Sequence, residues 1–285
     1  MYVDRATGLH RCHLHLKGSI LDRVKKALEE KIKPGERIGI ALSGGKDSTV
    51  LLYLLHTLRS EGKDIELLAL TVDEGIAGYR EYSLVAAREI TRRFDIDYHV
   101  ITFEQITGSS LDQLIARREE RSCTMCGVLR RKALQMLARD HGVTVLATGH
   151  CLNDEAQTVL MNCLRGDLPH LLRTTEKTNG FIPRIKPLQR VSEKEITLYA
   201  MGEGIYTDLP ECPYAYHALR SEVRSMLDHL ELVSPGTMER ILTLQTRVAE
   251  SGSGIAREIP LVACDRCGEP CISGRCRACT LLESP

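Results

Sequence analysis

The chain has 285 residues, 43% apolar and 27% charged, with a net charge of zero. That length can bury a full α/β core with a small appendage, while the balanced charge excludes a global nucleic-acid footprint and leaves any RNA contact to local patches. Scarce aromatics, with no Trp and three Phe, argue against a base-stacking platform, and no apolar run has the length of a membrane span.

In chain order, residues 1–16 are polar and histidine-rich, with Cys12 and His15 forming half of a metal-ligand pattern. A helix is expected over Ile20–Lys31, broken by Pro34-Gly35. Arg37–Leu42 reads as a strand buried on both faces, followed by a glycine turn and an apolar helix over Ser48–Arg59. Ile65–Val72 is the second strand and ends in Asp73-Glu74. A helix over Tyr79–Phe94 and a strand over Tyr98–Thr102 follow. Helices over Ser110–Arg121 and Gly127–His141 bracket a Cys-x-x-Cys turn. Val143–Thr148 is a strand leading into Gly149-His150, then a helix over Glu155–Leu164 and a short strand over Phe181–Ile185. Beyond Ser192 the periodicity is helical over Lys194–Glu203, Ala218–Glu231 and Pro235–Glu250, and Ser251–Gly254 reads as a linker.

Strands alternating with helices predict a Rossmann-like, doubly wound parallel sheet, in which ligands bind beyond the strand carboxyl ends. Three polar clusters fall on that rim: Ser43-Gly44-Gly45-Lys46-Asp47-Ser48, Asp73-Glu74 and Gly149-His150. The first has the parts of a phosphate cradle. Its glycines let the backbone approach an anion, helix-start N–H groups point at it, and Lys46 adds charge. Asp47 follows the lysine and the glycine spacing differs, so it is not the common P-loop.

Eleven cysteines with no apolar leader pattern point to metal or catalysis before disulfides, and to a cytoplasmic setting. Cys264, Cys267, Cys276 and Cys279 form two Cys-x-x-Cys knuckles eight residues apart, the pattern of a structural zinc site. Cys271 is left over, and Cys151 and Cys163 read as small packed residues. Cys123 and Cys126 form a different pair, just before a helix carrying Arg130, Arg131 and Lys132, where a helix start and cations favour a reactive thiol or a metal ligand. Cys212 is the candidate third thiol. Three cysteines with an open fourth position suit a 4Fe-4S cluster, and a thioredoxin-like redox pair is the alternative. Asn153 or Asp154 would cap the helix that follows His150, and Asp154 could also hold Mg2+ or orient a base.

Taken together and in order, Ser43 to Ser48, Val72 to Arg80, Cys123 to Gly127, Thr148 to Asp154, Met161 to Asp167, Cys212-Pro213-Tyr214 and the C-terminal cysteines resemble the tRNA 2-thiouridine synthetases of the PP-loop ATP-pyrophosphatase superfamily. The resemblance runs from about residue 2 to residue 280. It implies ATP held at Ser43 to Ser48 with Asp73, Gly149 and His150 nearby, and Mg2+ with it. Cys123, Cys126 and Cys212 would be catalytic and hold the iron-sulfur cluster, with Asp47, Lys132 and Asp154 as active-site polar residues. The uridine C2 oxygen would be adenylated and then replaced by sulfur. Met161 to Asp167 leans toward the wobble uridine, position 34, over position 54. The implied partners are tRNA, a sulfur donor (a ubiquitin-like thiocarboxylate protein or inorganic sulfide) and a second copy of the chain, with no membrane. Expected tRNA contacts are Arg117, Arg118, Arg121, Arg130, Arg131, Arg165 and Arg173. The expected organisation is a partial N-terminal zinc module over 1–19, a catalytic domain over 20–191, a helical extension over 192–254 and a zinc module over 255–285. Relatives usually carry a Cys-x-x-Cys pair before Cys12 and His15, so that site is expected to be incomplete. Rival readings are another adenylating PP-loop enzyme, such as a lysidine synthetase or an amidotransferase, and a non-catalytic zinc RNA-binding protein.

Overall fold

A computed structural model describes residues 2–5, 7–29, 31–116, 122–172, 180–214, 219–251 and 261–283. A short antiparallel pair, β1 (Tyr2–Val3) and β2 (His10–Arg11), leads into α1 (His13–Glu29). The helix starts seven residues earlier than its apolar pattern predicts, and the expected boundary after residue 19 falls inside it. Leu16, Ile20, Val24 and Leu28 recur at four-residue spacing and bury one stripe against the core.

β3 (Glu36–Ala41) leads into α2 (Lys46–Ser60), and β4 (Ile65–Asp73) into α3 (Arg80–Arg93). β5 (Asp97–Thr102) is followed by α4 (Phe103–Thr107), α5 (Leu111–Ile115) and α6 (Ser122–Asp140). β6 (Val145–Thr148) leads into α7 (Leu152–Leu164) and α8 (Leu168–Leu171), and β7 (Arg184–Ile185) closes the series. These strands form one five-stranded sheet in the order β5-β4-β3-β6-β7, with every pairing parallel. The doubly wound architecture is as expected. Central strands are buried on both faces, as continuous apolar runs require, and Ile38, Ile40, Leu68 and Leu70 are fully shielded. Only two residues of the strand expected over Phe181–Ile185 pair, because Pro183 precedes them and cannot donate to a ladder.

The first sheet strand, β3, has β4 on one side and β6 on the other, so chain order reverses between β3 and β6. That reversal opens a crevice at the carboxyl rim. The helices α9 (Glu193–Gly202), α10 (Leu219–Val233) and α11 (Thr237–Ser251) follow; α9 packs on α2 and α1, and the other two pack on α7. The linker residues 252–254 lie outside the described residues.

The cysteine-rich tail forms β8 (Val262–Ala263), β9 (Pro270–Cys271) and α12 (Arg277–Glu283). It is not set apart from the catalytic half. Cys264, Cys271, Cys276, Ala278 and Cys279 share one apolar cluster with Val128, Leu129 and Leu137 of α6. Arg139 at the far end of α6 pairs with the carboxylate of Glu269.

Candidate active site

The glycine turn joins β3 to α2 at the edge of the crevice. Gly44 has φ +89°, and a Cβ there would lie 2.1 Å from the Ser83 carbonyl oxygen, so only glycine lets the loop seat on α3. Ser48 Oγ donates to the Gly45 carbonyl at 2.9 Å and meets Ser43 Oγ at 3.0 Å, which closes the turn on itself. The first-turn N–H groups of α2 have no intrahelical acceptors, as at any helix start, and Gly45 caps the helix with no side-chain acceptor of its own. Gly149 belongs to the wall of this cradle: a Cβ there would lie 2.9 Å from the Ser48 nitrogen, so the loop after β6 packs directly on the turn. His150 Nδ1 sits 3.0 Å from the Thr148 hydroxyl.

Lys46 does not stand free. Its ammonium lies 2.7 Å from Glu193 Oε1 and 3.4 Å from Asp47 Oδ2, and Arg224 closes on Glu193 at 2.8 Å. Burial pushes the Asp47 carboxyl above its ordinary range; Lys46 opposes that, while Asp154 and Glu193 add to it. Asp47 Oδ1 is buried without a hydrogen-bond partner. An orphaned carboxylate oxygen beside two further acids suits an incoming Mg2+–phosphate group better than a finished structural contact.

Asp154 and Asn153 take up helix-end duties. Asp154 Oδ2 accepts the Cys151 N–H at 3.1 Å, and Asn153 Oδ1 accepts the Glu193 N–H at 3.0 Å. The cap residue is therefore Cys151, buried at the start of α7, and the helix begins three residues earlier than predicted. Cys163 is exposed near the end of α7, which corrects its reading as a packed residue. Asp73 ends β4, and its Oδ1 accepts the Gly75 N–H at 2.9 Å.

Cys123 and Cys126 lie inside the first turns of α6 rather than in a turn before it. Cys126 is buried and Cys123 exposed, and Cys212 approaches from the segment after α9. Cys123 Sγ contacts the Tyr214 carbonyl at 3.5 Å, and burial raises the Cys126 and Cys212 thiols, each of which feels another thiol of the trio. A buried Cys126, a half-buried Cys212 and an exposed Cys123 with an open side are a donor set that fits a polynuclear cluster with one free position. Arg130 Nη2 donates to Cys126 Sγ at 3.1 Å, and Arg130 Nε lies 2.8 Å from Glu74 Oε1. Arg130, exposed along part of its side chain, is thus already paired with Glu74 and Cys126. Motif reading did not single out Glu193, and it named Glu74, Arg80 and Arg130 only as parts of the rim cluster, a family motif and a basic helix; their pairing with one another is set by the fold and has no signal in the spacing.

Lys132 has company other than the phosphate loop: burial lowers its ammonium, but the neighbouring Cys267, Cys279 and Cys276 thiols outweigh that and raise it. The four thiols Cys264, Cys267, Cys276 and Cys279 have all their sulfur atoms within 4.8 Å of one another, which fits one tetrahedral ion. Among the described residues no other group of three such ligands is this close. Cys12 Sγ and His15 Nδ1 touch at 3.2 Å but gain no third ligand among the described residues. Cys271 is buried with its thiol on the Val262 carbonyl, outside the four.

The arginines sort themselves. Arg266 and Arg275 pair with Glu283 and Asp265 inside the tail. Arg131, Arg184 and Arg277 present exposed side chains, and partial desolvation, then the charges of Arg184, Arg277 and Arg130, push Arg131 below its ordinary value. Arg165 is exposed at the end of α7. Arg117, Arg118, Arg121 and Arg173 lie outside the described residues. No helix among the described residues is long and apolar enough to cross a membrane.

Known proteins share this arrangement. A family model described as a PP-loop domain, ATP_bind_3, matches residues 16–225. The tRNA 2-thiolation protein NcsA of Haloferax volcanii is 36% identical over 301 residues, covering 98% of this chain and 94% of that protein. Cytoplasmic tRNA 2-thiolation protein 1 of Xenopus laevis is 37% identical over 260 residues, covering 88% of this chain and 74% of that protein. Among solved structures, the U34-tRNA thiolase NcsA from Methanococcus maripaludis with its [4Fe-4S] cluster superposes with a TM-score of 0.86 at 32% identity, covering 99% of this chain and 92% of that one.

Proposed function

The chain belongs to the PP-loop family of tRNA 2-thiolation proteins, and from that premise we propose how its residues divide the reaction. It is an ATP-dependent tRNA sulfurtransferase acting on the C2 oxygen of a uridine, and the wobble position is the assignment its relatives favour. Two observations support the reading: a phosphate cradle at the sheet's switch point, and three thiols from two distant segments close enough for Cys212 to act on Cys126 and Cys123 on Cys212.

In the activating half, the turn from Ser43 to Ser48 holds the ATP phosphates, and Lys46 leaves Glu193 to meet them. Asp47, with its free oxygen, holds the accompanying Mg2+. Backbone N–H groups and Lys46 stabilise charge on the phosphates as the uridine oxygen attacks the α-phosphorus and pyrophosphate leaves. In the second half, sulfur attacks C2 and AMP departs. Cys123, Cys126 and Cys212 would hold the 4Fe-4S cluster; when bound, it supplies a site for the incoming sulfur. Arg130 keeps Cys126 oriented, and buried Cys126 shelters that side of the site from water. The cysteines Cys264, Cys267, Cys276 and Cys279 hold structural zinc.

Arg131, Arg184 and Arg277 come from α6, β7 and α12, and they supply local positive charge for tRNA phosphates on a chain with no net charge. The target base must be unstacked to enter. The sulfur donor is a thiocarboxylate protein or sulfide, the setting is cytoplasmic, and the working form is a homodimer. Mass spectrometry of tRNA nucleosides from cells lacking the protein tests the reading. Loss of a 2-thiouridine derivative, restored by the wild-type chain but not by Cys123→Ser, is expected; unchanged thiolation would overturn it.

A further inference from the structure

Glu74 follows the last residue of β4, and its side chain is only 4% exposed. A desolvated carboxylate persists only when paired, and here a guanidinium stands on each oxygen. Arg80 Nε lies 2.8 Å from Oε2, and Arg130 Nε lies 2.8 Å from Oε1. The far ends of the two arginines reach opposite halves of the site. Arg80 Nη1 donates to the Ser43 carbonyl and to the Ser83 hydroxyl, both at 2.9 Å, and its Nη2 donates to the Val72 carbonyl. Arg130 Nη2 donates to Cys126 Sγ at 3.1 Å. A line of close contacts therefore runs Ser43, Arg80, Glu74, Arg130, Cys126, with no step longer than 3.1 Å; the Arg80–Glu74 step is an ion pair held by charge and not by hydrogen-bond geometry, which makes it the step most free to change.

We propose that Glu74 and Arg80 are positioning residues that couple nucleotide occupancy of the phosphate turn to the placement of the Cys126 thiol. The coupling rests on the assignment of ATP and sulfur sites made above. The turn is seated on α3 through Gly44, and Arg80 is the first residue of that helix. A shift of the Ser43 carbonyl on phosphate binding must be followed by Arg80, which is held at several acceptors. Glu74 then tilts or loses one of its two ion pairs, and Arg130 passes the change to Cys126. Binding free energies linked in this way are reciprocal.

The test uses the full-length chain freed of cluster under anaerobic conditions, a non-hydrolysable ATP analogue and iodoacetamide. Alkylation at Cys126 is read by peptide mass spectrometry, and analogue binding is measured separately by calorimetry. The analogue is expected to change the Cys126 alkylation rate by about fivefold or more, the lower end of ordinary couplings. Glu74→Gln should bind the analogue and lose that change, and Arg80→Lys, which keeps the charge without the fork, should lose it too. In cluster-loaded protein reduced with dithionite, the electron paramagnetic resonance line shape should respond to the analogue in the wild type and not in either variant. A wild-type Cys126 indifferent to bound analogue, or a folded variant that keeps the full effect, overturns the coupling and leaves the ATP site standing. No analogue binding by the wild type removes that site, and the coupling with it. If Glu74→Gln does not fold by circular dichroism, the wild-type and Arg80→Lys measurements decide.

Discussion

Lys46 and Glu193 meet at 2.7 Å beside the glycine turn, so the lysine proposed to meet the ATP phosphates is already held by a carboxylate. Phosphate binding must exchange that partner. Glu193→Gln removes both the competitor and a negative charge facing the phosphates. ATP-analogue affinity measured by calorimetry should rise by up to about tenfold, equivalent to ~1.4 kcal/mol. Weaker binding by this variant would show that Glu193 serves the nucleotide directly.

The same carboxylate gives the fold an acid-sensitive link. Burial pushes the Glu193 carboxyl up, but the hydrogen bond and charge of Lys46 and the charge of Arg224 outweigh it and hold the group below its ordinary range. The stabilisation is present above the unfolded value of about 4.3 and is lost as pH falls through the lower folded value. Urea unfolding across that acid window should show wild type losing stability more steeply than Glu193→Gln. Parallel profiles would contradict the pairing.

Lys132 provides a clean separation of sites. Its ammonium is acted on by the Cys267, Cys279 and Cys276 thiols, so Lys132→Ala should leave ATP-analogue affinity within about twofold while weakening zinc retention by about 10–100-fold, the usual range for a group supporting metal ligands. Competition with a chromophoric chelator measures the second quantity. Lost nucleotide binding with intact zinc would return Lys132 to the active site.

Gly44 tolerates no side chain. Gly44→Ala carries a left-handed backbone cost of about 1–2 kcal/mol before the Ser83 contact is counted. The variant should lose analogue binding altogether and melt several degrees lower. Gly45→Ala, whose Cβ would meet only the Ser43 hydroxyl at 3.6 Å, should retain the fold.

For RNA, Arg131→Ala and Arg184→Ala should each weaken tRNA binding across sequences and lower the slope of log affinity against log salt by about one. Filter binding over a salt series reads the slope. Arg275→Ala, whose guanidinium is spent on Asp265 and Glu283, should leave it unchanged.

Much of this site was legible before any coordinates. Apolar strands ending in polar pairs located the rim, and the glycine turn and the paired knuckles each carry their chemistry in their spacing. What the sequence hid is direction. Arg130, Arg131 and Lys132 are consecutive, and about 100° of helix rotation separates neighbours. One therefore turns to Glu74 and Cys126, the next to the exposed arginines, and the third to the C-terminal thiols. A basic triplet reads as one patch until the helix phase is fixed by what packs beneath it. The start of α1 was hidden for a related reason: His13, Leu14 and His15 are exposed, so the first turn lacks the apolar stripe that marks a helix. His13 is instead fastened to Glu203 at 2.9 Å.

The separation of the thiols along the chain also sets an order of events in the making of the protein. Cys123 and Cys126 emerge from the ribosome more than eighty residues before Cys212. Their shared pocket needs α6 against the sheet and the segment after α9 laid beside it. A growing chain therefore exposes two thiols before the third exists, and Cys212 arrives only after all five strands of the sheet and α9 have been made. On the proposed assignment, iron and sulfur can be loaded only once the chain has grown past that point, and a shortage of clusters would leave a folded protein waiting for its metal.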